Sequence, residues 1–287
     1  MIDLHTHTKA SDGSMTAEEL VRHAKASGLE AVAVTDHDGI GSVKAALAEG
    51  ERIGMEVIPG IELSAQSETE CHIVGLFIDP DNKALNDALS EILKQRGARN
   101  VEYAEKLAAL GLPVTVEEAR AEAGGKLIAR AHFAKVMVKK GYVGSVKEAF
   151  DRYLSPGRPA YSSKQAITAE EAVTLINGAG GLAIAAHLHL MRKNDADLCS
   201  FLCGLRDVGL AGLEGWYSEY TPEHMVKYQA LAVYLGLAVS AGTDFHGSMK
   251  PHISIGTGVN GNMNVPYSVL ENLKAIRAAR MRGQAGQ

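Results

Sequence analysis

The sequence predicts an α/β chain built on a barrel or near-barrel, interrupted by an inserted helical piece. Three observations carry this prediction. Strand-like and helix-like segments alternate over most of the 287 residues, and repeated βα units lay their strands side by side in a parallel sheet. Segments such as "EAVAVTD" (30–36) are almost continuously apolar, as befits a strand covered on both faces. Between residues 82 and 160 the alternation stops and the pattern turns helical. The expected organisation is therefore a barrel from 1–81 and 161–287, with 82–160 as a helical insertion or cap.

The elements follow in order. The chain opens on "IDLHTHTKASDG" (2–13), where Ile2 and Leu4 sit among polar residues and a Gly-containing turn ends a short strand. Side chains alternate along a strand, so His5 and His7 share a face. "TAEELVRHAKASG" (16–28) reads as a helix, with a capping box from Thr16 to Glu19 and a stop at Gly28. Strand 30–36, helix 42–54 and strands 55–65 and 71–78 come next. After the helical stretch, which contains "NKALNDALSEILKQRGARNVEYAEKLAAL", the order is helix 168–178, strand 181–186, helix 195–208, strand 211–216, helix 221–235, strand 236–241 and helix 266–283.

Composition narrows the function classes. Hydrophobic residues make up 46% and charged residues 22%, which marks a globular chain. A net charge of −5 argues against stable binding of duplex nucleic acid, though not against a local cationic pocket. Three cysteines, Cys71, Cys199 and Cys203, have no disulfide-framework spacing and suit a reducing compartment, so a cytoplasmic enzyme is expected. Cys199 and Cys203, four apart on a helix, could share a metal or simply fill a core. No apolar run approaches the roughly 18 residues of a membrane span, and no secretory leader is visible.

In α/β barrels the reactive groups sit at the C-terminal ends of the strands. His5 and His7 close the first strand and Asp12 follows; His37 stands in "VTDHDG", Glu62 in "IPGIELS", His187 in "AIAAHLH", and Asp244 and His246 in "VSAGTDFHG". His72, in "ECHIVG", stands at the start of its strand and departs from the trend. Taken singly, each reads as a satisfied polar residue or a turn residue, and Asp36 and Asp38 read as loop or supporting groups. Together, six imidazoles and three carboxylates suit divalent first-row metals and exceed the needs of one ion, which points to two or three.

The set "DLHTHTKASDG", "TDHD", "GIELS", "HIVG", "AH" and "SAGTDFHG" resembles the PHP (polymerase and histidinol phosphatase) family of metal-dependent phosphoesterases, in the family's order and across essentially the whole chain. "FIDPDNKALNDAL", "IARAHFAKVMV" and "YLSPGRPAYSS" further resemble the branch that includes nucleoside 3′,5′-bisphosphate phosphatases, some of which trim 5′-phosphorylated oligonucleotides. The resemblance implies a distorted (β/α)7 barrel with a helical insertion. It implies that His5, His7, Glu62 and Asp244 hold a first metal, that Glu62 bridges to a second held by His72 and His187, and that Asp12, His37 and His246 hold a third. An oxygen ligand at Asp12, where the family often has His, favours Mn2+, with Fe2+ or Zn2+ as alternatives.

Three divalent ions would carry +6 and Asp12, Glu62 and Asp244 return −3; the remainder would draw a dianionic phosphate. A water activated by the metals would attack phosphorus in line, with Glu62, Asp244 and His187 as the catalytic ligands. Neither a G-x-S-x-G nucleophile elbow nor a P-loop is present. Substrate grip is expected from Arg130 and His132, which resemble the branch's R-x-H-F-A element, and from Arg96, Arg99 and Arg192. Trp216 and Tyr217 could stack on a base or pack against a helix. Leu188 stands where the family commonly has Pro, and Tyr220 where it often has His, which leaves His189 and His224 without an assigned role. The expected activity is removal of the 3′-phosphate from a nucleoside 3′,5′-bisphosphate, or action on a short 5′-phosphorylated oligonucleotide. The alternatives are an AMP or histidinol-phosphate phosphatase, a metal-dependent deacylase or deaminase, and a non-catalytic metal-binding regulatory module.

Overall fold

A computed structural model describes residues 1–67, 69–123, 128, 130–155, 157–162 and 167–285. The chain divides into two compact units, Met1–Asp87 with Ile167–Gln287, and Ala88–Ala166. The first unit is a nearly closed barrel sheet of seven strands in sequential order.

The first strand, β1 (Ile2–Asp3), is short, and the chain continues extended past it. Helix α1 (Ala17–Ala26) starts where Thr16 and Glu19 cap each other reciprocally, the expected capping box. Strand β2 (Ala31–Val34) is buried at all four residues, as a central parallel strand should be. Helix α2 (Val43–Ile53) ends at Gly54 in the left-handed region, and β3 (Glu56–Ser64) lies parallel to β2. Strand β4 (His72–Leu76) is antiparallel to β3 on one side and to the later β5 on the other. The parallel pairing expected from the βα alternation is corrected at this one strand. Only residues 65–71 connect β3 to β4, too few for a crossover of about a dozen residues, so β4 runs backwards.

Helix α3 (Lys83–Ala109) crosses from the first unit into the second. The second unit continues with α4 (Val116–Ala123), α5 (Arg130–Lys139), α6 (Val146–Ala149) and a five-residue π-helical turn, Phe150–Leu154. It has its own core, with Tyr103, Leu107, Phe133, Met137 and Leu154 buried together.

The first unit resumes with α7 (Ala169–Gly178), again opened by a capping box, Thr168 with Glu171. It continues through β5 (Leu182–Ala185), a 3₁₀ turn at Leu188–Met191, α8 (Asp195–Asp207), β6 (Gly212–Tyr217), α9 (Pro222–Leu235) and β7 (Ala238–Gly242). A two-stranded hairpin, β8 (Ile253–Ser254) with β9 (Gly258–Val259), precedes α10 (Ser268–Ala285). The barrel comes round where the chain beyond β1 meets the chain beyond β7: Asp244 N donates to His5 O at 2.9 Å, His7 N donates to Phe245 O at 2.9 Å, and Thr6 bridges Phe245 in parallel. Ile2, Leu4, Ile58, Val74, Leu182, Ile184 and Leu270 are among the residues of its main core. No helix among the described residues is long and apolar enough to cross a membrane.

Candidate metal centre

Thr6 separates the two leading histidines and turns to the neighbouring strand, its Oγ1 donating to Ala33 O at 2.5 Å. The alternation of an extended chain then leaves His5 and His7 on one side, with their Nε2 atoms 3.1 Å apart. Asp36 fixes the turn that follows, accepting from Thr8 N (2.8 Å), Thr8 Oγ1 (2.7 Å), Ser11 Oγ (2.5 Å) and Ser42 Oγ. That turn delivers Asp12. The antiparallel course of β4 explains His72: a strand running backwards begins at the rim where its neighbours end, so the first residue of β4 joins their last ones.

Glu62 lies at the centre and divides its two oxygens. Oε1 is 2.8 Å from His72 Nδ1 and 3.0 Å from His187 Nε2. Oε2 is 3.3 Å from both His5 Nε2 and His7 Nε2, and 3.0 Å from His37 Nδ1. Asp244 adds Oδ1 at 3.1 Å from His7 Nε2 and 3.7 Å from His5 Nε2. Asp12 sits 3.2 Å from His246 Nε2 and 3.7 Å from His37 Nε2. The ligand atoms fall into mutually close groups: His5, His7 and Asp244; His37, Glu62 and His72; His7, Asp12, His37 and His246; and Glu70, His72 and His187. All nine residues named from the sequence are therefore brought together, His7 also stands in the Asp12 group, and the exposed Glu70, not named from the sequence, lies within reach of His72 and His187.

These residues fit divalent cations. Donor atoms bound at about 2.0–2.2 Å from one ion lie roughly 3–3.5 Å from each other, which is the spacing seen here. Glu62 Oε2, Asp12 Oδ1 and His37 Nδ1 are buried; although His37 Nδ1 lies 3.0 Å from Glu62 Oε2 and Asp12 Oδ1 3.2 Å from His246 Nε2, neither contact has the angles of a good hydrogen bond, which leaves these atoms available to a further partner. The electrostatics agree. Burial by itself would raise the Glu62 carboxyl, but the charges of His37, His72 and His5 hold it well below the usual carboxylate range. Burial would lower His37, yet Glu62 and Asp12 push it up to about 10. Burial would likewise lower His5, which Glu62 and Glu214 raise well above its ordinary value. The carboxylates call for positive charge at the centre of the cluster.

A surrounding shell orients the donors. Glu214 Oε1 accepts from His5 Nδ1 at 2.7 Å, and its Oε2 accepts from His187 N at 2.6 Å; holding the proton on Nδ1 leaves His5 Nε2 free as a ligand. Asp244 O accepts from His246 Nδ1 at 2.7 Å, with the same effect on its Nε2. Asp3, buried under the barrel closure, accepts from Thr243 N (2.9 Å), Thr243 Oγ1 (2.5 Å) and Gly256 N (2.9 Å). Asp38, His187 and Asp244 all adopt positive φ (46°, 29° and 56°), a backbone strain of about 1–3 kcal/mol each that clusters at functional sites. The sequence reading missed Glu214, although a lone carboxylate inside the apolar strand "GLEGWY" was the available signal.

Other expectations fare differently. Tyr217 is fully buried and donates to Asp244 Oδ2 at 2.9 Å, so its ring offers no face to a base; Trp216 packs on the main core. Both therefore follow the packing alternative. Tyr220 is also buried and accepts from Leu188 N at 2.7 Å, fixing the loop where the family's Pro is missing, while His189 and His224 lie against its ring. Cys71 precedes His72, but it is buried, and burial pushes its thiol up to about 11, which makes it a poor nucleophile. Cys199 and Cys203 join no metal-ligand group among the described residues. Arg192 is exposed just beyond the 3₁₀ turn after His187. The remaining candidates lie in the second unit: Arg96 and Arg99 on α3, with Arg99 6.0 Å from the Tyr103 ring centre, and Arg130 and His132 on α5. The Arg130 guanidinium covers the rings of Phe150 (5.8 Å) and Tyr161 (5.6 Å).

A barrel whose strand ends gather histidines and carboxylates in this way defines the class of metal-dependent hydrolases. The PHP domain model matches residues 3–276, and the chain belongs to the PHP domain family. It is a metal-dependent hydrolase acting on phosphoric ester bonds. Among relatives, a 3′,5′-nucleoside bisphosphate phosphatase from Chromobacterium violaceum is 34% identical over 85% of this chain and 87% of its own length. A 5′-3′ exoribonuclease Rnm from Salmonella typhimurium is 34% identical over 85% of this chain and 84% of its own. A crystal structure from Bifidobacterium adolescentis, assigned as a metal-dependent phosphoesterase, is 27% identical with a TM-score of 0.78, covering 95% of this chain and 94% of that one.

Proposed function

We propose that this enzyme removes the 3′-phosphate from nucleoside 3′,5′-bisphosphates, converting pAp to AMP. The observation that carries the reading is the division of Glu62 between two sets of imidazoles, Oε1 with His72 and His187 and Oε2 with His5, His7 and His37. In this proposal His5, His7, Glu62 and Asp244 hold one ion, Glu62, His72 and His187 a second, and Asp12, His37 and His246 a third. Mn2+ is the first choice because Asp12 adds a hard oxygen donor. When bound, such ions lower the pKa of a water and neutralise charge on a phosphoryl group.

The chain's own residues do the rest. Glu214 holds His5 in the ligating tautomer, Tyr217 orients Asp244, and the buried walls around Glu62 keep bulk water from screening the site. Arg130, His132, Arg96 and Arg99 are proposed as substrate-binding residues, and Arg192 is a further candidate from the barrel unit. The relative named as a bisphosphate phosphatase supports this choice. The equally similar relative named as an exoribonuclease supports a second reading, the trimming of short 5′-phosphorylated RNA. Free cysteines fit a reducing compartment, and the cytoplasm is the proposed location.

A panel of phosphate esters assayed with Mn2+ tests the proposal. The expected order places pAp first in kcat/KM, ahead of AMP, histidinol phosphate and 5′-phosphorylated dinucleotides. A preference for histidinol phosphate over every nucleotide would overturn it, and a preference for the dinucleotides would select the second reading.

A further inference from the structure

Asp244 uses its two carboxylate oxygens for different partners. Oδ1 looks to the imidazoles, 3.1 Å from His7 Nε2 and 3.3 Å from His246 Nδ1. Oδ2 accepts from the Tyr217 hydroxyl at 2.9 Å and from Lys250 Nζ at 2.6 Å. The ammonium thus stands directly across one carboxylate from the donor cluster. Lys250 follows the 3₁₀ turn Gly247–Met249, and its backbone N–H donates to Gly247 O, so its stem starts from a fixed point. Its side chain is one-third exposed. An ammonium has three N–H donors, and the bond to Asp244 is the one hydrogen bond it makes among the described residues.

From this geometry we infer that Lys250 binds the phosphoryl group undergoing hydrolysis, donating to one of its non-bridging oxygens beside Asp244. The inference rests on the phosphoesterase activity of the site but not on the choice of nucleotide. The physical argument is one of charge. With cations held by the histidines, Asp244 would be shared with them and its Oδ2 would offer less to an ammonium. Lys250 then faces like charge across a shared carboxylate, an arrangement that an anion between the two relieves. A phosphate is such an anion, and the free N–H groups of Lys250 are the donors that it needs. No other lysine or arginine contacts the ligand carboxylates among the described residues.

The experiment uses the Mn2+-loaded full chain and inorganic phosphate as the probe. Isothermal titration gives the phosphate Kd for wild type, Lys250→Met and Lys250→Arg, and elemental analysis gives the Mn2+ content of each. The expected result is a phosphate Kd at least tenfold weaker in Lys250→Met, with Mn2+ content at the wild-type level, and a Kd within a few-fold of wild type in Lys250→Arg. A phosphate Kd unchanged in Lys250→Met would overturn the inference. So would a loss of Mn2+ in that variant that Lys250→Arg reverses, because Lys250 would then serve only to position Asp244. Should Lys250→Met fail to fold, Lys250→Gln replaces it under the same criteria. Because inorganic phosphate carries no nucleoside, a failed pAp preference and a failed Lys250 contact are separate results.

Discussion

Glu214 illustrates how much of this site depends on side chains that never touch the central oxygens. One carboxylate fixes the tautomer of His5 and the backbone that precedes the His187 side chain. Glutamine keeps the shape but offers only one carbonyl acceptor, so Glu214→Gln should leave His5 free to turn its protonated nitrogen inward. The expected outcome is a Mn2+ affinity weaker by about 10–100-fold, read by metal titration, with far-UV circular dichroism unchanged. The nine imidazole and carboxylate residues could be named from the sequence because their types are rare together and they lie at strand ends or in the turns just beyond them. Glu214 left only a weak signal, one carboxylate in an apolar strand, and Lys250 none, since a glutamate in a strand and a lysine in a loop have ordinary explanations until their neighbours are known.

At the scale of elements, one close approach helps decide how the barrel presents its rim. Gly242, the last residue of β7, passes so close to the first strand that an added Cβ would overlap His5 Cβ and come within 2.8 Å of His5 N. Only glycine allows that approach. Gly242→Ala should displace His5 and reduce both Mn2+ content and kcat at least tenfold, which elemental analysis and steady-state assays would show. Elsewhere Glu49 on α2 ties two helices: it accepts from Arg52 Nε and Nη2 at 2.7 Å each and from Arg22 Nη1 of α1 at 2.8 Å. Hydrogen bonds from Arg52, then Arg22, hold its carboxyl down to about 2. A carboxyl lowered on folding stabilises above its unfolded value near 4.5 and loses that contribution as pH falls towards 2. Urea midpoints measured across this range should therefore fall less steeply in Glu49→Gln than in wild type. Helix α1 was legible in part because its capping box is local. The direction of β4 was not, because the sense of a strand is set by the length and path of its connection.

For the whole molecule, the donor cluster joins widely separated stretches of chain, from His5 to His246, at one rim. A ligand that binds only this assembled state stabilises it by mass action, about 2.7 kcal/mol at a concentration one hundred times its Kd. Chelation should therefore lower the melting temperature by roughly 5 °C or more, and Mn2+ should restore it in differential scanning fluorimetry; an unchanged melting curve would contradict metal binding at this rim. Barrel architecture, the helical character of the second unit and the chemical types of the candidate ligands all follow from local pattern, since periodicity and residue type are properties of the chain. How Glu62 shares its oxygens, why His72 belongs despite opening its strand, and which acids and bases brace the donors arise from packing between distant segments. Ångström-scale proximity governs those interactions, and no spacing along a chain encodes it.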